Sequence, residues 1–145
     1  KIEGFHWIRL LYQYPDAISD EILDAMKKKK KVLPYFDIPF QHANNRLLKL
    51  MNRKGTKEDI LRVVNKIRDV FPKAILRTTI IVGFPSETEE EFQELLDFVD
   101  EIKFDRLGAF TYSPEEDTVA YSMPDTIEKE VKDKNNGYSF DDYPD

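Results

Sequence analysis

Apolar residues fall along the chain in two alternating rhythms. Short runs of large β-prone side chains give way to longer stretches in which apolar positions recur every three or four residues. Trp7, Ile8, Leu10 and Leu11 make the first short run, a predicted strand over 7–11 that Pro15-Asp16 breaks. Ser19 then N-caps a helix to about residue 30, with Ile22, Leu23 and Met26 on its buried face. A second strand spans 32–38 and ends at Pro39. Asn44 or Asn45 caps a short helix carrying Leu47, Leu48 and Met51, closed around Gly55. Thr56 and Asp59 have capping-box spacing, and the helix they open shows Ile60, Val63, Val64, Ile67 and Val70 at helical intervals before Pro72 stops it. Residues 74–82 form a near-continuous β-prone run, as expected of a parallel strand covered on both faces. After the turn Gly83-Phe84-Pro85-Ser86, Thr88 and Glu91 frame a second capping box, followed by a stripe of Phe92, Leu95, Leu96, Val99 and Ile102. A fourth strand over 106–112 ends at Ser113-Pro114. The last stretch has no period, which predicts an irregular tail over 133–145 with Tyr138 and Phe140 as its docking candidates.

Strands alternating with helices at these lengths predict an α/β fold with a parallel sheet and right-handed crossovers. An open doubly wound sheet and a barrel segment both satisfy the pattern. In either, function gathers at the C-terminal ends of the strands. The positions at that edge are 12–14, 41–43, 83–87 and 112–115.

Composition narrows the chemistry. The 145 residues contain no cysteine and two histidines, His6 and His42. That excludes disulfides, a thiolate nucleophile and a cysteine-held metal within these residues, and argues against a dedicated transition-metal site. No apolar run reaches the roughly 18 residues of a membrane span, and no signal-peptide pattern is present, so a cytoplasmic location is expected. Charge is uneven. Residues 1–85 carry 17 Lys and Arg against 9 Asp and Glu, whereas residues 86–145 carry 5 against 19. A basic first part suits proximity to RNA, although solvated helix faces of differing sign give the same count.

The turn from Gly83 to Thr88 follows a strand and opens a helix, where glycine permits close backbone approach and free N–H groups can meet an anion. Gln41 offers both a donor and an acceptor, and His42 can serve as acid, base or ligand; both can equally be loop residues bonded locally. Arg77 lies six residues before Gly83, toward the other end of its strand, which predicts a structural ion pair. Thr79 shares the parity of Gly83 and lies nearer the functional edge. The lysines at 27–31 are expected to be a solvated helix end.

Four stretches together resemble one family. Trp7-Ile8-Arg9-Leu10-Leu11-Tyr12-Gln13-Tyr14-Pro15-Asp16 and Asp37-Ile38-Pro39-Phe40-Gln41-His42-Ala43 are similar to strand ends of RimO-type methylthiotransferases. Thr78-Thr79-Ile80-Ile81-Val82-Gly83-Phe84-Pro85-Ser86-Glu87-Thr88 is similar to a turn shared across the wider methylthiotransferase family, and residues 104–113 resemble its last barrel strand. The match covers about residues 1–132 and implies the C-terminal portion of a radical-SAM barrel, a partial parallel (β/α) barrel of about four βα units.

The resemblance implies a transferase that methylthiolates the β-carbon of an aspartate on small-subunit ribosomal protein twelve. Its implied cofactors are S-adenosylmethionine and two four-iron four-sulfur clusters, each held by three cysteines. Those cysteines and a glycine-rich cofactor segment belong upstream of Lys1 in the family, so these residues alone are expected to be inactive, holding no cluster. Downstream the family continues into a small β-rich domain. Ser86 stands where the family usually has glycine. By family position, Gln41, Thr79, Gly83, Phe110 and Tyr112 are expected on the cofactor side and Tyr12 and His42 on the substrate side. No catalytic or metal-ligating residue is expected here. Two other readings remain: a sister enzyme acting on tRNA adenosine, which usually shows Gln-Ser-Gly in place of Gln41-His42-Ala43, and a cluster-free βα binding module.

Overall fold

The computed structural model describes residues 3–125 and 127–137. Four strands, β1 (Ile8–Leu10), β2 (Val32–Asp37), β3 (Ile75–Val82) and β4 (Arg106–Thr111), form one sheet in the order β1-β2-β3-β4, with every neighbouring pair parallel. Between them run α1 (Asp20–Lys28), α2 (Asn45–Leu50), α3 (Lys57–Val70) and α4 (Glu89–Ile102), and α5 (Lys129–Gly137) follows β4. Sequential strand order with right-handed crossovers places successive helices on one face, as in a barrel wall rather than a doubly wound sheet.

The helices start where the sequence predicts. Ser19 caps α1, Asn44 caps α2, and both capping boxes form, Thr56 with Asp59 on α3 and Thr88 with Glu91 on α4. Their apolar faces meet β3 in a single core containing Ile60, Val64, Ile67, Leu76, Ile80, Phe92, Leu95 and Phe98. Burying a side chain such as Phe98 contributes roughly 2 kcal/mol.

Several expectations need correction. β3 is not covered on both faces: Leu76, Thr78, Ile80 and Val82 are buried, while Arg77, Thr79 and Ile81 are half-buried. The helices cover only the even-numbered face, so the odd-numbered face is left to line a concave surface. Ile22 is exposed, and Val63, Val70 and Leu96 are half-buried at the edges of their stripes. Phe98, absent from the predicted stripe, is buried at its centre. Finally, residues 133–137 are the second half of α5, not an irregular tail. Buried Lys132 and Asn135 hold that helix against the rest of the fold despite its weak apolar pattern. Tyr138, Phe140 and the rest of the predicted tail lie outside the described residues.

Candidate functional site

The C-terminal edge is shaped by what the chain does after β2. Beyond Asp37 it keeps running beside β3: Ile38 N donates to Arg77 O (2.9 Å) and Gln41 N to Thr79 O (2.9 Å), while Ile81 N donates to Gln41 O (2.8 Å). Thr78 Oγ1 joins the two segments from inside the core, donating to Ile38 O (2.9 Å) and accepting from Phe40 N (3.3 Å). Gln41 therefore sits locked against β3 although its φ is +74°. A non-glycine residue held there costs about 1–2 kcal/mol, and such strain gathers where a side chain must be aimed.

Two adjoining cavities open around Gln41. The narrower, about 270 Å³, is lined by Tyr12, Gln13, Tyr14, Gln41, Arg53 and Thr79. The wider, about 560 Å³, has Ile81, Phe84, Phe110 and Tyr112 on its walls, with Gln41 and Arg53 again shared. Five of the seven expected site residues thus come together: Tyr12, Gln41 and Thr79 in one cavity, and Gln41, Phe110 and Tyr112 in the other. Each cavity also holds a buried polar atom with no partner among the described residues, Gln13 Oε1 in the first and Tyr112 Oη in the second. Such atoms are costly unless a ligand or water completes them. Burial, with smaller effects from the Asp125 and Glu115 carboxylates, raises the pKa of the Tyr112 phenol and keeps it a hydrogen-bond donor.

Two expected residues, His42 and Gly83, line neither cavity. His42 is 0% exposed and lines neither cavity. Its Nδ1 accepts from Asn44 N (2.9 Å), which assigns the ring proton to Nε2, and Nε2 faces Glu87 Oε2 across 3.4 Å. The ring joins the β2–α2 loop to the β3–α4 turn and lies away from both cavities. Gly83, at φ +70°, is buried beneath α5: a Cβ there would lie 2.4 Å from Lys132 Cγ. Its positive φ and the helix packed over it both favour glycine there. Lys132 itself ion-pairs with Asp125 and lies 5.4 Å from the Tyr112 ring.

The start of α4 is also unsuited to an anion. Thr88 Oγ1 accepts from Glu91 N (3.3 Å), Gly83 N donates to Glu87 Oε2 (3.1 Å), and Glu89, Glu90 and Glu91 fill the first turn. Carboxylates of the chain already occupy the positive end of the helix. Arg77 pairs with Asp37 Oδ1 at 3.0 Å, away from the cavities, as its distance from Gly83 predicts.

Sequence reasoning missed Arg53, Glu87 and the role of Lys132. Glu87 lay within the inspected turn, but nothing local indicated that its side chain would be only 2% exposed. Arg53 gave no signal, because a short helix intervenes between it and the strand end it overhangs. Among the described residues no group of three or more His, Asp or Glu side chains is placed to hold a metal. Nor is any helix among them long and apolar enough to cross a membrane.

The model of the Radical SAM superfamily matches residues 2–99. The chain is 61% identical over 132 residues to "Ribosomal protein uS12 methylthiotransferase RimO" of Clostridioides difficile, covering 91% of this chain and 30% of that protein. It is 58% identical over 131 residues to the protein of the same name from Pelotomaculum thermopropionicum, again covering 30% of the relative. The chain therefore spans about 30% of the length of these curated relatives. Among solved structures it is similar to coproporphyrinogen III oxidase (HemN) of Escherichia coli, described as a radical SAM enzyme. The TM-score is 0.61 and the identity 26%, over 75% of this chain and 24% of that one. The Elp3 of Methanocaldococcus infernus shares the fold, with TM-score 0.62 at 18% identity over 79% of this chain and 26% of that one.

Proposed function

The chain belongs to the Radical SAM superfamily, and from that premise we propose that it is part of an enzyme that methylthiolates an aspartate of ribosomal protein uS12. The observation that carries this reading is the 61% and 58% identity to proteins named for that activity, over nine tenths or more of the chain. The cavities at the C-terminal edge support it, because a barrel enzyme meets cofactor and substrate there.

The residues fit S-adenosylmethionine in part. The narrow cavity offers the Gln41 amide, the Thr79 hydroxyl and the unpartnered Gln13 Oε1 to a polar ligand edge, while Phe110, Phe84 and Ile81 give the wide cavity an apolar wall. Iron–sulfur clusters do not fit these residues, since thiolates hold such clusters and the 145 residues contain no cysteine. In this reading the two clusters are held by other residues of the same enzyme. The chemistry supplied by the bound cofactors is hydrogen abstraction from an unactivated carbon and delivery of a methylthio group. The part played by these residues is binding and orientation. Gln41, pinned on both sides by β3, offers its donor and acceptor with little further entropy loss, and Tyr112 donates from a desolvated wall.

A ribosomal substrate implies the cytoplasm as the site of action, and the excess of Lys and Arg over residues 1–85 suits work beside ribosomal RNA. The reading is tested by disrupting the gene and weighing uS12 from the cells. Loss of the mass of one methylthio group from uS12, restored by the intact gene, supports it. Unchanged uS12 together with a tRNA lacking its methylthio group assigns the activity to tRNA instead.

A further inference from the structure

The connection from α1 to β2 lies at the N-terminal ends of the strands, opposite the candidate site. It carries Lys27, Lys28, Lys29, Lys30 and Lys31 in one unbroken run, all exposed. Among the described residues no carboxylate pairs with any of the five, although Asp24 stands one turn earlier on α1. The contrast with other lysines is plain: Lys57 pairs with Glu94, Lys66 with Asp20 and Lys132 with Asp125. The helix dipole explains only part of the run. α1 ends at Lys28, so Lys27 and Lys28 complement its C-terminus. Lys29 has already left helical geometry, at φ −113° and ψ 91°, and Lys30 and Lys31 follow in the connection. The backbone holds them there: Val32 N donates to Lys29 O (2.8 Å), and Ile8 N to Lys31 O (2.7 Å). Five adjacent like charges repel one another, in a chain whose 28 Asp and Glu outnumber its 22 Lys and Arg. A partner carrying several negative charges in series relieves that repulsion.

We propose that Lys27 to Lys31 form a docking surface for the phosphate backbone of small-subunit ribosomal RNA. This rests on the reading of uS12, a ribosomal protein, as substrate. The surface favours RNA over an acidic protein. A phosphate backbone is met by several cations in series and needs no shaped pocket, whereas lysine is depleted from protein–protein interfaces. Lys31 Nζ also donates to Phe5 O at 2.6 Å, which sets the 50% exposed Phe5 beside the run, an aromatic face on which an unpaired base can stack. The position does not compete with the site. None of the five lysines lines either cavity there. At about 3.3 Å per residue, the mainly extended chain from Lys31 to Gln41 separates the run from the strand-end cavities by roughly 30 Å. RNA held at one end of the sheet leaves the other end open to uS12, and raises the effective concentration of enzyme around its substrate.

The test uses the full-length natural protein, its clusters reconstituted, and a variant combining Lys28→Gln, Lys29→Gln and Lys30→Gln. Lys31 is kept because it holds Phe5. Binding to protein-free small-subunit RNA is measured by filter retention over a series of salt concentrations. Each lysine that neutralises a phosphate steepens the fall of log affinity with log salt by roughly 0.7–0.9, so the variant's slope should be shallower by about 2. At low salt the variant binds at least about tenfold more weakly, while Lys28→Arg, Lys29→Arg and Lys30→Arg together keep the wild-type slope. On small ribosomal subunits at limiting concentration, the Gln variant modifies uS12 at least about tenfold more slowly. Its cleavage of S-adenosylmethionine without substrate, and its thermal unfolding, remain those of wild type. Equal slopes for wild type and Gln variant overturn the assignment while leaving the methylthiotransferase reading in place. Equal slopes on RNA with weakened binding to polyglutamate assign the run to an acidic protein and likewise overturn it. A parallel loss of cofactor cleavage makes the run structural and overturns it too. Absence of uS12 modification by the wild type overturns the substrate reading, and with it the ribosomal source of the RNA, whatever the slopes.

Discussion

His42 Nε2 and Glu87 Oε2 face each other across 3.4 Å, one side chain 0% and the other 2% exposed. They come from different strand ends, and together they fix the spacing between the loop that carries Gln41 and the turn at Gly83. Replacing His42 by Ser leaves a void beside a buried carboxylate, so His42→Ser is expected to lower unfolding stability by about 2–3 kcal/mol. Urea unfolding measures this. In the complete enzyme, substrate modification and cofactor cleavage should fall together, as for a brace. Loss of modification alone, with stability unchanged, would restore His42 to the substrate.

The contact between Gly83 and Lys132 predicts a second outcome. Gly83→Ala combines a positive φ with overlap against Lys132 Cγ, for a loss of about 2–4 kcal/mol. Adding Lys132→Ala removes the overlap but not the strain, so the double variant should lose less than the sum of the two single losses. A double-mutant cycle in denaturant checks it; simple additivity would place Lys132 away from the glycine.

Why one half of this site could be read from the sequence and the other could not follows from the same residues. Thr56, Thr88 and their acidic partners act within four positions, so spacing alone predicts the helix starts. β3 announces its ends by composition. Gln41 and Thr79 follow from strand ends and parity, because a parallel sheet gathers its C-terminal ends at one edge, whereas Phe110 follows from family position. His42, Glu87, Arg53 and Lys132 depend on contacts between elements distant in sequence. His42 resembled a functional histidine because a motif identifies a residue type, not the direction in which its side chain points. The end of α5 was missed because its contacts to the sheet, not its own pattern, hold it.

The Arg46–Glu91 pair gives a dependence on pH. Arg46 donates to both Glu91 oxygens, at 2.7 and 2.6 Å, and this contact is the main reason the Glu91 carboxyl lies below its ordinary pKa. A carboxyl whose folded value is depressed stabilises the fold above its unfolded pKa. That contribution is lost as pH falls through the lowered value. Arg46→Ala should therefore flatten the loss of stability below the ordinary glutamate range while lowering stability at neutral pH. Unfolding curves across acid and neutral pH measure it, and parallel curves for variant and wild type would remove the pair from the acid response.

The absence of cysteine predicts a colourless product. The 145 residues, expressed and exposed to iron, sulfide and reductant, should show no cluster absorbance and should not cleave S-adenosylmethionine. Optical spectra and product chromatography check both. A brown, cleaving protein would contradict the assignment of cluster binding to residues elsewhere in the enzyme.

The central claim is tested most directly by incubating the complete, cluster-reconstituted natural protein with S-adenosylmethionine, reductant, a sulfur donor and small ribosomal subunits, then sequencing uS12 peptides by tandem mass spectrometry. The expected result is one added methylthio group on a single aspartate of uS12, dependent on S-adenosylmethionine. Unmodified uS12 beside a methylthiolated adenosine in tRNA supplied to the same reaction would contradict it.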